Sequence, residues 1–117
     1  MTDAATIRTA TSVASLAFGA VGALAPRALA HAYGAADPTP EHIYTVRLWA
    51  GATAAIGAIG LLPDGIDDRR FFQLGLALNV FDTVIGLTSQ GTTRTRVLTT
   101  ATAVVFAAAA GAGLAGD

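Results

Sequence analysis

The sequence predicts an all-α integral membrane protein: an antiparallel bundle of four transmembrane helices, with a short interfacial helix after the first, in one domain over residues 1–117. Three observations carry that expectation. Only 13% of the residues are charged, where soluble globular chains carry about 25%, and a domain this small exposes too much of its surface to be covered by so few. The charges are also clustered, with none between Arg8 and Arg27, Arg47 and Asp64, Arg70 and Asp82, or Arg96 and Asp117. Those gaps match the ~20 apolar residues that cross ~30 Å of hydrocarbon, the third once Asp82 is tolerated. Finally, glycine, alanine and serine recur at helical spacing inside the gaps, as they do where helices pack in lipid.

The first helix is expected over about residues 7–25, entered past Arg8 and ended by Pro26, whose ring removes a donor and disfavours helix just before it. Ser12, Ser15, Gly19 and Gly22 fall on one face of it, a surface on which a neighbouring backbone can lie close. The same stretch has a rival reading as a secretory signal with Ala28-Leu29-Ala30 as a cleavage site; Pro26-Arg27 places a charge just before that site and argues against it. Residues 26–34 read as the interfacial helix, with Pro26 in its first turn, Gly34 at its end, Arg27 and His31 one turn apart, and Tyr33 at headgroup level. Thr39-Pro40-Glu41 opens the second long helix, about 40–62, with Thr39 as cap. Tyr44 and Trp49 suit the membrane interface, and Leu62-Pro63-Asp64-Gly65 is a turn signal.

The third long helix, about 68–88, is the one around which the others are arranged. Asp67 can cap it and Arg69-Arg70 stand at its mouth. Gly75, Asn79, Asp82, Thr83 and Gly86 form a small and polar stripe on a helix otherwise rich in Phe, Leu, Val and Ile. Lipid favours the large residues, so the stripe, and Asp82 with it, is expected to face inward. After a tight loop at 89–93, the fourth long helix runs over about 94–114, flanked by Arg94 and Arg96. Short connections make the four alternate up and down.

Several function classes are excluded. A net charge of −1 gives no nucleic-acid footprint. The absence of cysteine removes disulfides, thiolate metal sites and cysteine nucleophiles, and the absence of lysine removes Schiff-base chemistry. His31 and His42, with Asp37 and Glu41 nearby, match no metal-ligand spacing, so neither a metal nor another cofactor is expected. The expected location is the cell's inner (plasma) membrane, crossed several times. Arg27, Arg47, Arg94 and Arg96 against Arg8, Arg69 and Arg70 lean the termini outward.

Pro26-Arg27-x-Leu29-x-x-x-Tyr33-Gly34, Arg47-Leu48-Trp49 opening the second long helix, and Asp82 in the third together resemble small four-helix membrane proteins of the domain-of-unknown-function 4267 type, broadly DoxX-like; a bacterial source is expected separately, from the lysine-free, Ala-, Thr- and Arg-leaning composition. The resemblance spans nearly the whole chain through short, mostly apolar motifs, and it implies a fold without implying an activity. Members of that group often continue the second helix with Gly-x-Arg-Asp; here Ala50-Gly51-Ala52-Thr53 stands instead, so that charged pair is missing.

A carboxylate in mid-membrane costs about 2.5–3.5 kcal/mol on insertion scales, so Asp82 must be paired, wetted or protonated. Counting 1.5 Å per residue from Arg70 puts it roughly 18 Å into the helix, towards the Arg47 side, and Arg47 is therefore one candidate partner, with Asn79, Thr53 and Ser15 as hydrogen-bonding alternatives. Two readings stay open. Asp82 either glues helices together or works in a lipophilic pocket. The leading function is a non-catalytic packing or accessory bundle, or one that binds a lipophile, with Trp49, Thr53, Thr83, Tyr33 and His31 as ligand-contacting candidates. Its expected partners are membrane lipid, a lipophilic small molecule, and either a second copy of the chain or a larger membrane complex, with no nucleic acid. The alternative is a membrane-embedded isomerase, cyclase or hydrolase with Asp82 as acid or base and Asn79 and Arg47 orienting the substrate.

Overall fold

The structure, a computed structural model, describes residues 3–63, 65–88 and 92–116. Within them five helices follow one another: α1 (Ala4–Leu24), α2 (Pro26–Ala32), α3 (Pro40–Leu61), α4 (Asp68–Thr88) and α5 (Thr93–Ala115). There is no strand among the described residues. Asp64 in the second turn and residues 89–91 of the expected tight loop lie outside them.

Local chemistry sets the helix ends. Thr39 accepts the His42 N–H at 3.1 Å, with Pro40 at the first helical position, and Asp67 accepts the Arg70 N–H at 2.9 Å. α1 starts three residues before the expected Ile7, because Asp3 accepts the Thr6 N–H at 2.8 Å and so caps an earlier turn. At the end of α2, Gly34 takes a φ of +100°. This allows its N–H to reach the His31 carbonyl at 3.0 Å and the Ala35 N–H to reach Ala30 at 2.9 Å, the Schellman closure that a side chain at Gly34 would strain. Ala28-Leu29-Ala30, the rival cleavage site, lies within α2 with Leu29 and Ala30 buried.

The long helices pair as α1 with α3 and α4 with α5, each pair antiparallel. The small face of α1 makes the first seam: Ser12, Ser15, Gly19 and Gly22 are all buried. A methyl group added at Gly19 would lie 2.5 Å from the Ala50 carbonyl, and one at Gly57 would lie 2.6 Å from the Leu16 nitrogen. Backbones this close leave no room for any side chain. α1 also packs on α5 and joins the two pairs, so the order across the bundle is α3, α1, α5, α4.

The distribution of side chains is that of a protein in lipid. Ala50, Ala103 and Ala110 lie in the core, while Val21, Leu24, Leu48, Phe81, Ile85, Leu87 and Val105 are exposed. Three helices, α1, α4 and α5, are long and apolar enough to cross a membrane, which marks the chain as a small membrane protein. α3 has 22 residues, but Glu41, His42 and Arg47 in its first turns lower its hydropathy.

Candidate functional site: a cleft between two helix pairs

At one end of the bundle the pairs are locked together. Phe71, Phe72, Ala4 and Ala110 form a buried cluster with Ile56 and Leu114 packed on it. Arg8 binds Asp68 at 2.7 Å, donates to the Gly60 carbonyl at 2.9 Å and lies 5.0 Å from the Phe71 ring centre. One side chain thus ties α1 to the end of α3 and the start of α4.

Beyond this lock, α3 and α4 have no extended packing against each other. They are the two walls of a cleft of about 510 Å³ whose floor is α1, α2 and α5. That volume falls in the range of small-molecule sites, about 300–1,000 Å³. The α3 wall is His42, Thr45, Val46, Trp49, Ala52, Thr53 and Ile56, and the α4 wall is Gly75, Leu78, Asn79, Asp82 and Ile85. Exposure of Thr45, Ala52, Leu78 and Ile85 shows that the cleft opens sideways between α3 and α4.

Three aromatic rings line the floor and the α3 wall. Phe18 and Trp49 stand edge to face at 5.2 Å, and Tyr33 meets Trp49 at 6.0 Å and Phe18 at 6.2 Å. The Tyr33 hydroxyl shares a hydrogen bond of 2.8 Å with Thr102, and Thr95 donates to the Tyr33 carbonyl. These two bonds hold α2 on α5. Opposite them stands half-buried Asp82. The antiparallel register of α4 and α5 places Gly75 against Ala110 and Gly86 against Thr100, which sets Asp82 at about the level of Ala103 and hence at the depth of the Tyr33–Thr102 bond.

Asp82 has no hydrogen-bond or ion-pair partner among the described residues. Of its expected partners, Ser15 lines the cleft floor without bonding to it, and the others are engaged elsewhere or lie outside. The Asn79 amide donates to its own helix at the Gly75 carbonyl, 2.7 Å, and Thr53 does the same to Trp49 at 2.9 Å. Arg47 is exposed and lies outside the cleft. The Arg47–Asp82 pair is therefore absent, because Arg47 falls on the face of α3 turned away from α4.

The cleft brings together five of the expected site residues, Asp82, Asn79, Trp49, Thr53 and Tyr33. It omits three. Thr83 is half-buried beside it and bonds to the Asn79 carbonyl at 2.7 Å, His31 is exposed on α2, and Arg47 points outward. His42 lines the mouth, and no group of three or more His, Cys, Asp or Glu among the described residues is placed to hold a metal ion. Sequence reasoning missed Phe18 and the ridge Thr95, Thr99, Thr102 and Phe106 on α5. The ridge was visible as a spacing of four, three and four; Phe18 sits beside a small-residue face and gives no separate signal.

Fold and site together define a class: a small helical membrane protein with an apolar, laterally open cleft and one unpartnered carboxylate in its wall. No family model, no curated protein and no solved structure matches the chain.

Proposed function

We propose that the protein is a four-span, non-catalytic bundle of the cell's inner membrane that binds a lipophilic molecule in the cleft between α3 and α4. The observation that carries this reading is the cleft itself: about 510 Å³, mostly apolar, and open sideways between α3 and α4. A ligand dissolved in the bilayer reaches such a site without crossing water. α3 serves as the fourth span because its seam with α1 holds Gly57 against Ser12 and Gly19 against Ala50, at shared depth. At about 1.5 Å per residue its length also suffices. Four spans accord with the resemblance to the four-helix membrane group, and the arginine balance leans the termini outward.

Native mass spectrometry of the protein, extracted gently with its surrounding lipid, tests the reading. One reproducible lipophile is expected on the wild type and is expected to be lost from the double variant Thr53→Trp/Asn79→Trp, which fills much of the cleft from both walls. Retention of that molecule by the filled variant, or arrival of the wild type with other polypeptides and no small molecule, would overturn it in favour of a packing role.

The enzyme reading draws support from the same cleft, since it reaches Asp82 and Asn79. It loses support from Arg47, which is outside, and from the remaining titratable liners Tyr33 and His42, of which Tyr33 is committed to Thr102. Asp82→Asn separates the two: an acid or base loses turnover, whereas a binding wall keeps its neutral ligand.

A further inference from the structure

We infer that the cleft selects lipophilic organic cations, an amphiphilic amine or a quaternary onium ion, with Asp82 as counter-charge and the Phe18–Tyr33–Trp49 cluster as the aromatic wall against which the cation rests. The inference rests on the proposal that the cleft binds lipophiles and adds the charge of the ligand.

Three features of the site carry it. Asp82 faces a low-dielectric space with no partner of its own, so a carboxylate there is completed by a cation brought from outside. No arginine lines the cleft, and the chain has no lysine to fold in. The aromatic rings converge within 5.2 to 6.2 Å of one another, and ring faces attract onium groups through the quadrupole, best of all with tryptophan. Asp82 stands at the level of the Tyr33–Thr102 bond, so charge and rings act at the same depth of the cleft. A metal ion is a poor occupant, since one carboxylate, an amide and a few hydroxyls fall short of the oxygen shell that Ca²⁺ or Mg²⁺ needs. An organic cation with an apolar body satisfies both the carboxylate and the walls.

The test uses the full chain in neutral detergent and three probes: neutral N-phenyl-1-naphthylamine, whose fluorescence reports occupancy, and the near-isosteric ions tetraphenylphosphonium and tetraphenylborate as competitors. Each ion is compared between wild type and Asp82→Asn, which cancels its own partition into the micelle. Tetraphenylphosphonium is expected to lose about tenfold or more in affinity in the variant, the equivalent of one desolvated charge contact, while tetraphenylborate does not weaken. Retained binding of the neutral probe shows that the variant folds. Trp49→Leu keeps an apolar wall and is expected to weaken the phosphonium more than the neutral probe. Equal phosphonium affinity in wild type and Asp82→Asn overturns cation selection and leaves lipophile binding standing. Failure of the neutral probe to bind the wild type removes lipophile binding, and the cation inference with it.

Discussion

Two aspartates on α4 meet opposite circumstances. Asp68, at the locked end, receives Arg8 at 2.7 Å, and that arginine is also held by the Gly60 carbonyl and the Phe71 ring. Asp82, in the cleft, receives nothing, and Asn79 and Thr83 beside it spend their hydrogen bonds on their own helix. The bundle thus pairs the charge that sits where three helices must be joined and leaves unpaired the one that sits where two helices stand apart. Ser12 and Thr100 in the packed seams are also without hydrogen-bond partners, but an unmatched carboxylate costs folding far more than a hydroxyl does, and its place in a cleft wall points to a use outside folding. The seams differ in the same way: α1 and α3 touch backbone to backbone, whereas α3 and α4 leave room for a ligand.

The largest expected effect lies in the tight seam. Gly57→Leu drives a side chain into the Ser12 carbonyl, already 2.6 Å from where its Cβ would sit, and should cost about 3 kcal/mol or more through overpacking. Gly51 on the same helix has no heavy atom within 4 Å of such a Cβ, so Gly51→Leu should stay within about 0.5 kcal/mol of wild type. Unfolding in detergent followed by circular dichroism measures both, and equal losses would show that the seam is looser than its backbone contacts. Next in size is the aspartate pair. Arg8→Ala or Asp68→Asn should cost about 1–2 kcal/mol, because the Arg8 side chain is only 12% exposed and its partner is left uncompensated. Asp82→Asn, which removes no contact and neutralises an unmatched charge, should leave stability unchanged or raise it by about 1 kcal/mol. Were Asp82→Asn the more damaging, Asp82 would be helix glue after all.

Much of the fold was legible because it is written in local chemistry. Thr39-Pro40 and Asp67 begin helices by capping rules that need no tertiary context, and the Ser12–Gly22 face is a packing surface wherever its partner lies. The inward turn of the Asp82 stripe followed from the large residues around it. What was not legible depends on rotation and on contacts far apart in sequence. Arg47 and Asp82 were brought to similar depth by counting residues along each helix, but depth says nothing of azimuth, and Arg47 points away. Arg8 read as a flanking charge; its three contacts are made on α3 and α4, which only the pairing of helices brings to it. The α5 threonine ridge was overlooked because threonine suits both lipid-facing and cleft-facing positions.

Smaller effects sharpen the contrast at the edges of the two regions. Tyr33→Phe deletes the 2.8 Å bond to Thr102 that closes the cleft floor, at about 1 kcal/mol, and should loosen the neutral probe along with it. The smallest effect is at Asp3, outside the spans. The Thr6 N–H, then the Thr6 hydroxyl, hold its carboxyl below the ordinary carboxylate range. A lowered value means that the cap contributes fully above the ordinary carboxylate pKa and fades as pH falls through the folded value. The wild-type midpoint should therefore drop under acid relative to Asp3→Asn, whose amide oxygen still accepts the bond but does not titrate. Parallel pH curves for the two would show that ionisation of Asp3 adds nothing to the first turn of α1, which is then held by the packing of Ala4 on Phe71, Phe72 and Ala110.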